Sequence, residues 1–432
     1  MRVHGWREEL YYVVSRVKIG TAVVVFPMSA PPFIRQAWCS TLQAALSVQG
    51  PRRVARARIC LRTAHCGGGF MCGFVPSPKR WWWFVINTAP TNFFIMDALQ
   101  PFVDQTRSFV KTSPWWISSL VALGSFGAAR LAYQTLSVFL QTFILSGTSL
   151  RKFGAKKGAW AVVTGASDGI GKEFATQLAG RGFNVLLVAR NAAVLSTVGQ
   201  EIESKYPGTQ TAIHTIDFAK ADEAAYEAFA RQVAALDVGV LVNNVGKSHA
   251  YPAYLVDTPL DEMRDIVQIN VNATLRVTYS VLPGMIKQKR GLILNIGSFA
   301  GSVPSPMLAT YSGTKAFLST FTSALAEEVR QHKIVVEHVN THFVVSKLSK
   351  IRHSSLLVPT PKSYVRSVLT KIGLACGAAY SGRPETSTPY WSHALLDWLI
   401  NAVGMPWVFI LYTHNLHKDI RRRALKKLAK TQ

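Results

Sequence analysis

A glycine-rich run, TGASDGIG at 164–171, separates an apolar segment from an amphipathic one. Residues 160–163 are typical of a short buried strand, and 172–182 have the periodicity of a helix. Glycines at such a turn allow a sharp bend and let a pyrophosphate approach the amide groups at the helix N-terminus. The run therefore predicts a dinucleotide site formed by Gly165, Ser167, Asp168, Gly169, Ile170 and Gly171.

Short apolar runs and longer amphipathic runs alternate from residue 158 to about 340. Strand-like runs between helical runs of this length are typical of βαβ units, so the sequence predicts an α/β fold with a parallel sheet. The predicted strands are 160–164, 184–189, 211–216, 238–243, 292–297 and 334–340, and the predicted helices are 169–181, 192–205, 221–235, 260–285 and 311–331.

The chain is strongly basic, with a net charge of +25. Such a charge favours nucleic acid, anionic membranes or anionic substrates as partners. No known nucleic-acid module is recognisable, so we expect no nucleic-acid partner. Four of the five cysteines lie within residues 1–95, and no pair has zinc-ligand spacing. We therefore predict no metal site and a reducing compartment for the rest of the chain.

Two apolar segments indicate membrane contact. Residues 131–150 are 20 consecutive residues without a charge, which is enough for one crossing, and the basic residues that follow mark the cytosolic side. A buried helix of a soluble domain is the alternative. The segment 391–413 contains Asp397 and a Gly404-Met405-Pro406 break, which favours membrane association without a defined crossing.

These patterns divide the chain into five parts. Residues 1–95 have a different composition and no persistent period, so we predict a poorly ordered leader, consistent with a mis-assigned start upstream of Met96. The other predicted parts are a membrane anchor region at 96–157, a nucleotide-binding and catalytic domain at 158–345, a substrate-covering segment at 346–390, and an apolar segment with a basic tail at 391–432.

Polar residues at the predicted strand ends indicate which dinucleotide binds. Arg190 follows the second strand, where it can pair with a ribose 2′-phosphate, so we predict NADPH. An exposed arginine flanking a helix is the alternative. Asp217 follows the third strand and can accept a hydrogen bond from an adenine amino group. Asn244 and Gly246 follow the fourth strand, where an asparagine side chain can tie loop backbone together beside the cofactor.

Tyr311 and Lys315 lie four residues apart on one helix, so their side chains share a face. We expect the ammonium of Lys315, with the positive charge of an oxidised nicotinamide, to lower the pKa of Tyr311 from about 10 and to make it an effective proton donor. Ser298, 13 residues before Tyr311, can hold a substrate carbonyl oxygen. Asn270 can bind a relay water, with a solvent-facing helix residue as the alternative.

The glycine run, the asparagines at the end of the fourth strand, Asn270, Ser298 and the Tyr311–Lys315 pair follow one another along the chain. In type and order, these motifs resemble those of the short-chain dehydrogenase/reductase family over about 158–350. The resemblance implies a Rossmann-type doubly wound parallel sheet, which here follows an N-terminal membrane helix. It also implies that Val344 and Ser346 contact the nicotinamide amide. The chain departs from the family at Thr341-His342, where Pro-Gly is usual. The catalytic tetrad that the resemblance implies is Asn270, Ser298, Tyr311 and Lys315.

A narrower resemblance is to the fungal very-long-chain 3-oxoacyl-CoA reductases, carried by NNVGKSH at 243–249, VVSK at 344–347 and TPKSYVR at 360–366. It implies NADPH-dependent reduction of 3-oxoacyl-CoA to 3-hydroxyacyl-CoA in fatty-acid elongation. It also implies an endoplasmic reticulum membrane protein with a cytosolic catalytic domain and other elongase components as partners. Ser248, His249 and 342–390 then shape the acyl and CoA site, with a loop histidine that binds no ligand as the alternative for His249. A membrane 17β-hydroxysteroid dehydrogenase-like ketoreductase and a non-catalytic membrane scaffold are the alternatives.

Overall fold

The computed structural model describes residues 10–17, 20–27, 100–101, 104–109 and 111–430. The chain divides into two units, Met1–Asp104 and Gln105–Gln432. In the first unit, strands β1 (Leu10–Val17) and β2 (Gly20–Pro27) pair antiparallel. The rest of the leader predicted at 1–95 lies outside the described residues, so its order stays a prediction.

Strands of the second unit form one parallel sheet. These strands are β3 (Trp160–Thr164), β4 (Asn184–Ala189), β5 (Thr211–Thr215), β6 (Val238–Asn243), β7 (Gly291–Ile296), β8 (Ile334–Val339) and β9 (Thr386–Ser387). They lie in the order β5-β4-β3-β6-β7-β8-β9. The winding direction reverses between β3 and β6, the switch point where open parallel sheets bind ligands beyond the strand ends. The predicted α/β, Rossmann-type doubly wound sheet is therefore confirmed.

Helices cover both faces of this sheet. Because side chains alternate along a strand, Ala161 and Val163 of β3 enter one apolar core while Val162 enters the other. The helices used below are α1 (Trp115–Phe139), α2 (Gly169–Gly180), α3 (Ala192–Lys205), α4 (Glu223–Ala234), α5 (Leu260–Val267), α6 (Ala273–Gln288), α7 (Phe299–Ser302), α8 (Ala309–Val329), α9 (Pro361–Thr370), α10 (Trp391–Val403) and α11 (Pro406–Leu428). The first core contains α2, α3 and α9, and the second contains α4, α6 and α8.

The helix predicted at 260–285 is not continuous. A π-helical turn, Gln268–Asn272, separates α5 from α6. Such a turn inserts one extra residue into the helical repeat, and it occurs frequently at functional sites. Asn270 lies within it and is 1% exposed, so the alternative of a solvent-facing helix residue is wrong.

The uncharged run at 131–150 does not form one helix. Helix α1 ends at Phe139, a π-helical turn continues to Ile144, and Leu145 is extended. Leu150 is buried in the first core. The predicted continuous span is therefore wrong in its bounds, because its end packs into the folded domain. Within the described ranges, no helix combines the length and the apolar composition of a membrane crossing.

The second apolar segment, 391–413, is divided into two helices at the predicted Gly404-Met405-Pro406 break. Helix α10 ends at Val403 and is capped by Gly404, which adopts a left-handed conformation, and Pro406 begins α11. Large apolar side chains on the outer face of α10 are exposed, including Leu395 and Leu399. Asp397, on the same helix, is 2% exposed.

Candidate active site

The glycine run forms a tight cradle between β3 and the first turn of α2. Gly165 and Gly169 have φ values of +67° and +56°, a left-handed conformation that favours glycine. A Cβ atom on Gly171 would lie 2.2 Å from the carbonyl oxygen of Gly165, so only glycine fits there. Asp168 caps α2 by accepting a hydrogen bond from the Gly169 amide at 2.7 Å. This cradle fits the close approach of a dinucleotide pyrophosphate.

Thr164 and Asn244 tie together the ends of β3 and β6. The Thr164 hydroxyl accepts hydrogen bonds from the amides of Asn244 at 3.0 Å and Val245 at 3.1 Å. The Asn244 amide group donates to the Thr164 carbonyl at 2.9 Å. The predicted backbone-tying role of Asn244 is therefore observed. Sequence reasoning did not single out Thr164, although it is the first residue of the glycine run.

The segment after β8 lies against the glycine cradle. A Cβ atom on Gly169 would lie 3.6 Å from the Cβ of Ser346, and Val344 is buried. Lys347 forms an ion pair with Asp168, with 2.8 Å between Nζ and Oδ2. The hydrogen bond from Lys347 lowers the pKa of Asp168. Ser346 thus lies against the cradle, and the contact of Val344 and Ser346 with a nicotinamide amide stays a prediction.

The residues predicted to hold the adenosine end lie at the ends of β4 and β5. Arg190 is exposed and forms no hydrogen bond or ion pair with the described part of the chain. Asp217 is partly buried and accepts a hydrogen bond from the Ala219 amide at 3.1 Å, which forms a turn.

Two further residues of the predicted dinucleotide site belong to the glycine run itself. Ile170 packs against the first core, and Ser167 is partly buried beside the cradle.

Ser298, Tyr311 and Lys315 converge beyond the end of β7. The Ser298 hydroxyl caps α7 by accepting from the Ala300 amide at 3.2 Å, and it lies near enough to the phenol of Tyr311 to lower the pKa of that group. Lys315 is 5% exposed, and its Nζ lies 5.8 Å from the centroid of the Tyr311 ring. The same Nζ donates to the Ile296 carbonyl at 2.8 Å. A hydroxyl pair with an adjacent cation can bind and protonate a carbonyl oxygen.

The expected lowering of the Tyr311 pKa is wrong for the protein without its cofactor. Burial raises the pKa of Tyr311, and the hydrogen bond with Ser298 opposes that rise only in part. Burial also lowers the pKa of Lys315 to about 8. Desolvation disfavours the charged form of each group, and it is the largest cause of both pKa shifts. Tyr311 is therefore a protonated phenol at neutral pH.

The side chain of Asn270 joins the loop after β6 to helix α8 rather than facing open solvent. Its Oδ1 accepts from the Lys247 amide at 2.8 Å, and its Nδ2 donates to the Lys247 carbonyl at 2.9 Å. Nδ2 also donates to the hydroxyl of Thr314 at 3.0 Å. With its amide group engaged in this way, Asn270 fixes the loop after Gly246 to the helix that carries Tyr311. Thr314 was not singled out, although it lies inside the Tyr-x-x-x-Lys motif.

His249 and Ser248 continue the loop after β6. His249 is buried, and its Nδ1 lies 3.2 Å from Oε1 of Glu262. Burial lowers the pKa of His249, and Glu262 opposes that shift. His249 thus faces a protein carboxylate, and its part in an acyl and CoA site stays a prediction. Among the described residues, no group of three metal-ligating side chains is present.

The comparisons with known proteins agree with this geometry. A family model described as short chain dehydrogenase matches residues 159–355. The very-long-chain 3-oxoacyl-CoA reductase of Coprinopsis cinerea is 71% identical over 77% of this chain and 98% of its own length, and that of Laccaria bicolor is 68% identical over 74% and 95%. A solved 7β-hydroxysteroid dehydrogenase, 23% identical, has a TM-score of 0.53 over 62% of this chain and 99% of its own, which supports the fold alone. The chain belongs to the short-chain dehydrogenase family and, within it, to the very-long-chain 3-oxoacyl-CoA reductases.

Proposed function

We propose that this protein reduces very-long-chain 3-oxoacyl-CoA to 3-hydroxyacyl-CoA with NADPH, a step of fatty-acid elongation. The observation that carries the proposal is the 71% identity with a reductase of that name over 98% of its length. The convergence of Ser298, Tyr311 and Lys315 beside the glycine cradle supports it independently, because reduction of a ketone needs a hydrogen-bond donor and a proton donor at the carbonyl oxygen.

The residues of the site have complementary tasks in this reaction. When bound, the reduced nicotinamide supplies the hydride that the ketone carbon accepts. The Ser298 hydroxyl donates a hydrogen bond to the carbonyl oxygen and holds it next to Tyr311. Tyr311 then donates its proton to the developing alkoxide, and the Lys315 ammonium stabilises the phenolate that remains. Burial raises the pKa of Tyr311, so the phenol carries its proton before the ketone binds.

The cofactor we propose is NADPH rather than NADH. The glycine cradle and the α2 N-terminus would hold the pyrophosphate, and Asp217 would accept a hydrogen bond from the adenine amino group. Val344 and Ser346 would contact the nicotinamide amide. Arg190 would supply the selectivity, because its exposed guanidinium has no hydrogen-bond or ion-pair partner in the described part of the chain and is available to a 2′-phosphate.

We propose that the enzyme lies on the cytosolic face of the endoplasmic reticulum membrane. There it would associate with other elongase components. Exposed apolar side chains on α1 and α10, such as Trp115, Phe126 and Leu399, support contact with lipid. An acyl chain gains about 0.8 kcal/mol per CH₂ buried in lipid, so a reductase at the bilayer surface meets its substrate there. Protection of α10 and the catalytic domain from protease added outside sealed microsomes would contradict this placement.

Competing ketones test the proposed substrate. The purified full-length chain with NADPH should turn over 3-oxo-octadecanoyl-CoA at least tenfold faster, in kcat/KM, than a 17-keto steroid, measured by loss of NADPH absorbance. The CoA-free 3-oxo acid serves as the control for recognition of the thioester head. Preference for the steroid favours the hydroxysteroid dehydrogenase alternative, and absence of turnover with either ketone favours the non-catalytic scaffold.

The rate of reduction should fall above a pH of about 8. Burial lowers the pKa of Lys315 to about 8, so the ammonium loses its proton as the pH rises through that value. Tyr311 does not limit this range, because its own pKa is raised. The kcat/KM for the ketone, measured from pH 6 to 10 at saturating NADPH, reports groups of the enzyme before the ketone binds.

A Lys315→Arg variant is the control for this profile. Arginine keeps its charge across the whole range, so the alkaline decline should disappear even where the overall rate is lower. An alkaline decline that persists unchanged in the variant assigns the titration to another group.

A further inference from the structure

Asp397 is a carboxylate within an otherwise apolar segment, and the structure shows where it is used. Its side chain is 3% exposed and pairs with Arg383, with 2.6 Å between Oδ1 and Nη2. Thr388 and Asn340 donate to Oδ2 at 2.5 and 3.1 Å, and Asn401 donates to Oδ1 at 3.0 Å. The inner face of α10 therefore carries a buried carboxylate that is fully hydrogen-bonded.

The same residues reach the short helix α7. The other terminal nitrogen of Arg383, Nη1, donates to the hydroxyl of Ser302. Ser302 in turn donates to the Asn340 side-chain oxygen at 3.3 Å, and Asn340 donates to Asp397. We call this closed ring of four residues, Asp397, Arg383, Ser302 and Asn340, the Asp397 network.

Helix α7 connects this network to the proton-donating site. It has a single turn, with Ser302 as its last residue and Ser298 as its N-cap. Its backbone packs tightly against α8, because a Cβ atom on Gly301 would lie 2.5 Å from the carbonyl carbon of Lys315. Because one short turn carries both residues, we expect a displacement of Ser302 to shift the hydroxyl of Ser298 relative to Tyr311.

We propose that Asp397 and Arg383 are positioning residues for Ser298, which act by fixing α7 through the Asp397 network. This inference rests on the proposed function. Buried ion pairs are often replaced by apolar residues of similar volume without loss of stability. We therefore test whether the ion pair of Asp397 and Arg383 contributes to the geometry of α7 rather than to the stability of the fold.

The experiment separates geometry from folding with a paired apolar replacement. Arg383→Met combined with Asp397→Leu should keep the thermal midpoint and the NADPH dissociation constant near those of the wild type. Its kcat for 3-oxo-octadecanoyl-CoA should fall about ten- to a hundredfold. Ser302→Ala, which removes only the connecting hydroxyl, should lower kcat in the same direction without any change of charge. Asn401→Leu removes a donor to Asp397 outside the ring and should leave kcat unchanged.

A double-mutant cycle with Ser298→Ala gives the decisive readout. If the network acts through Ser298, the paired replacement should cause less than a threefold further loss of kcat in that background. Wild-type kcat in a folded paired variant or in Ser302→Ala contradicts the positioning role, as does a full multiplicative loss in the Ser298→Ala background. Absence of turnover in the wild-type protein would instead contradict the proposed function on which the inference rests.

Discussion

Tyr311→Phe should lower kcat for 3-oxoacyl-CoA reduction by about 10³-fold, within the range that a positioned general acid contributes. The substitution removes one hydroxyl and keeps the ring that lies 5.8 Å from Lys315 Nζ. The alkoxide that forms at the substrate then has no acid of suitable strength in reach, while Ser298 still supplies a hydrogen bond. Because the glycine cradle is untouched, the NADPH dissociation constant should stay within about threefold of the wild-type value.

Single-turnover measurements test this result without interference from product release. Enzyme in excess over NADPH is mixed with saturating 3-oxo-octadecanoyl-CoA, and the decay of NADPH fluorescence gives the rate of the chemical step. Tyr279→Phe is the matched control, because Tyr279 is 81% exposed on α6. If Tyr311→Phe binds NADPH normally and its rate stays within tenfold of the wild-type rate, Tyr311 is not the proton donor.

The sequence predicted the positions of the site residues along the chain better than it predicted their pKa values. The spacing of Tyr311 and Lys315 correctly indicated two side chains on one helix face. It did not indicate their burial, to which Gly301 of α7 and Gly246 of the loop after β6 contribute at Lys315. Since desolvation is the dominant contribution to both pKa shifts, the direction for Tyr311 could be obtained only from the folded structure.

A similar limit applies to the fold. Strands β3, β4 and β6 have the predicted bounds, because each is an apolar run followed by turn residues. Strand β9 has two residues and exists only through its pairing with β8, so no local pattern identifies it. The π-helical turn at Gln268–Asn272 is a one-residue insertion that a periodic pattern tolerates without visible change.

Asp397 illustrates the reverse case, in which the sequence shows an anomaly but not its explanation. A carboxylate in an apolar segment indicates a partner, since an isolated buried charge is strongly unfavourable. Its partner Arg383 lies in a loop before β9, and Asn340 follows β8. Contacts between residues so far apart along the chain become visible only when α10 is placed against the sheet.

The other large effect is expected at Arg190. Arg190→Asp should raise the KM for NADPH by about 10²-fold and should lower the KM for NADH, which reverses the cofactor preference. The lost charge-assisted hydrogen bond to the 2′-phosphate is worth roughly 1.5–3 kcal/mol, and the new carboxylate repels that phosphate. The same carboxylate can accept hydrogen bonds from the ribose hydroxyls of NADH.

The position of Arg190 makes this a test of local recognition rather than of overall charge. Arg190 follows β4 directly and is free of protein partners among the described residues, so its replacement should leave the fold intact. Arg231→Asp makes the same charge change on the exposed surface of α4 and should leave both KM values unchanged. Equal shifts in the two variants would indicate long-range electrostatics, and an unchanged preference in Arg190→Asp would place the 2′-phosphate elsewhere. A reversed preference in Arg190→Asp but not in Arg231→Asp identifies Arg190 as the residue that selects NADPH, because the two cofactors differ only in the 2′-phosphate to which a guanidinium next to the ribose binds.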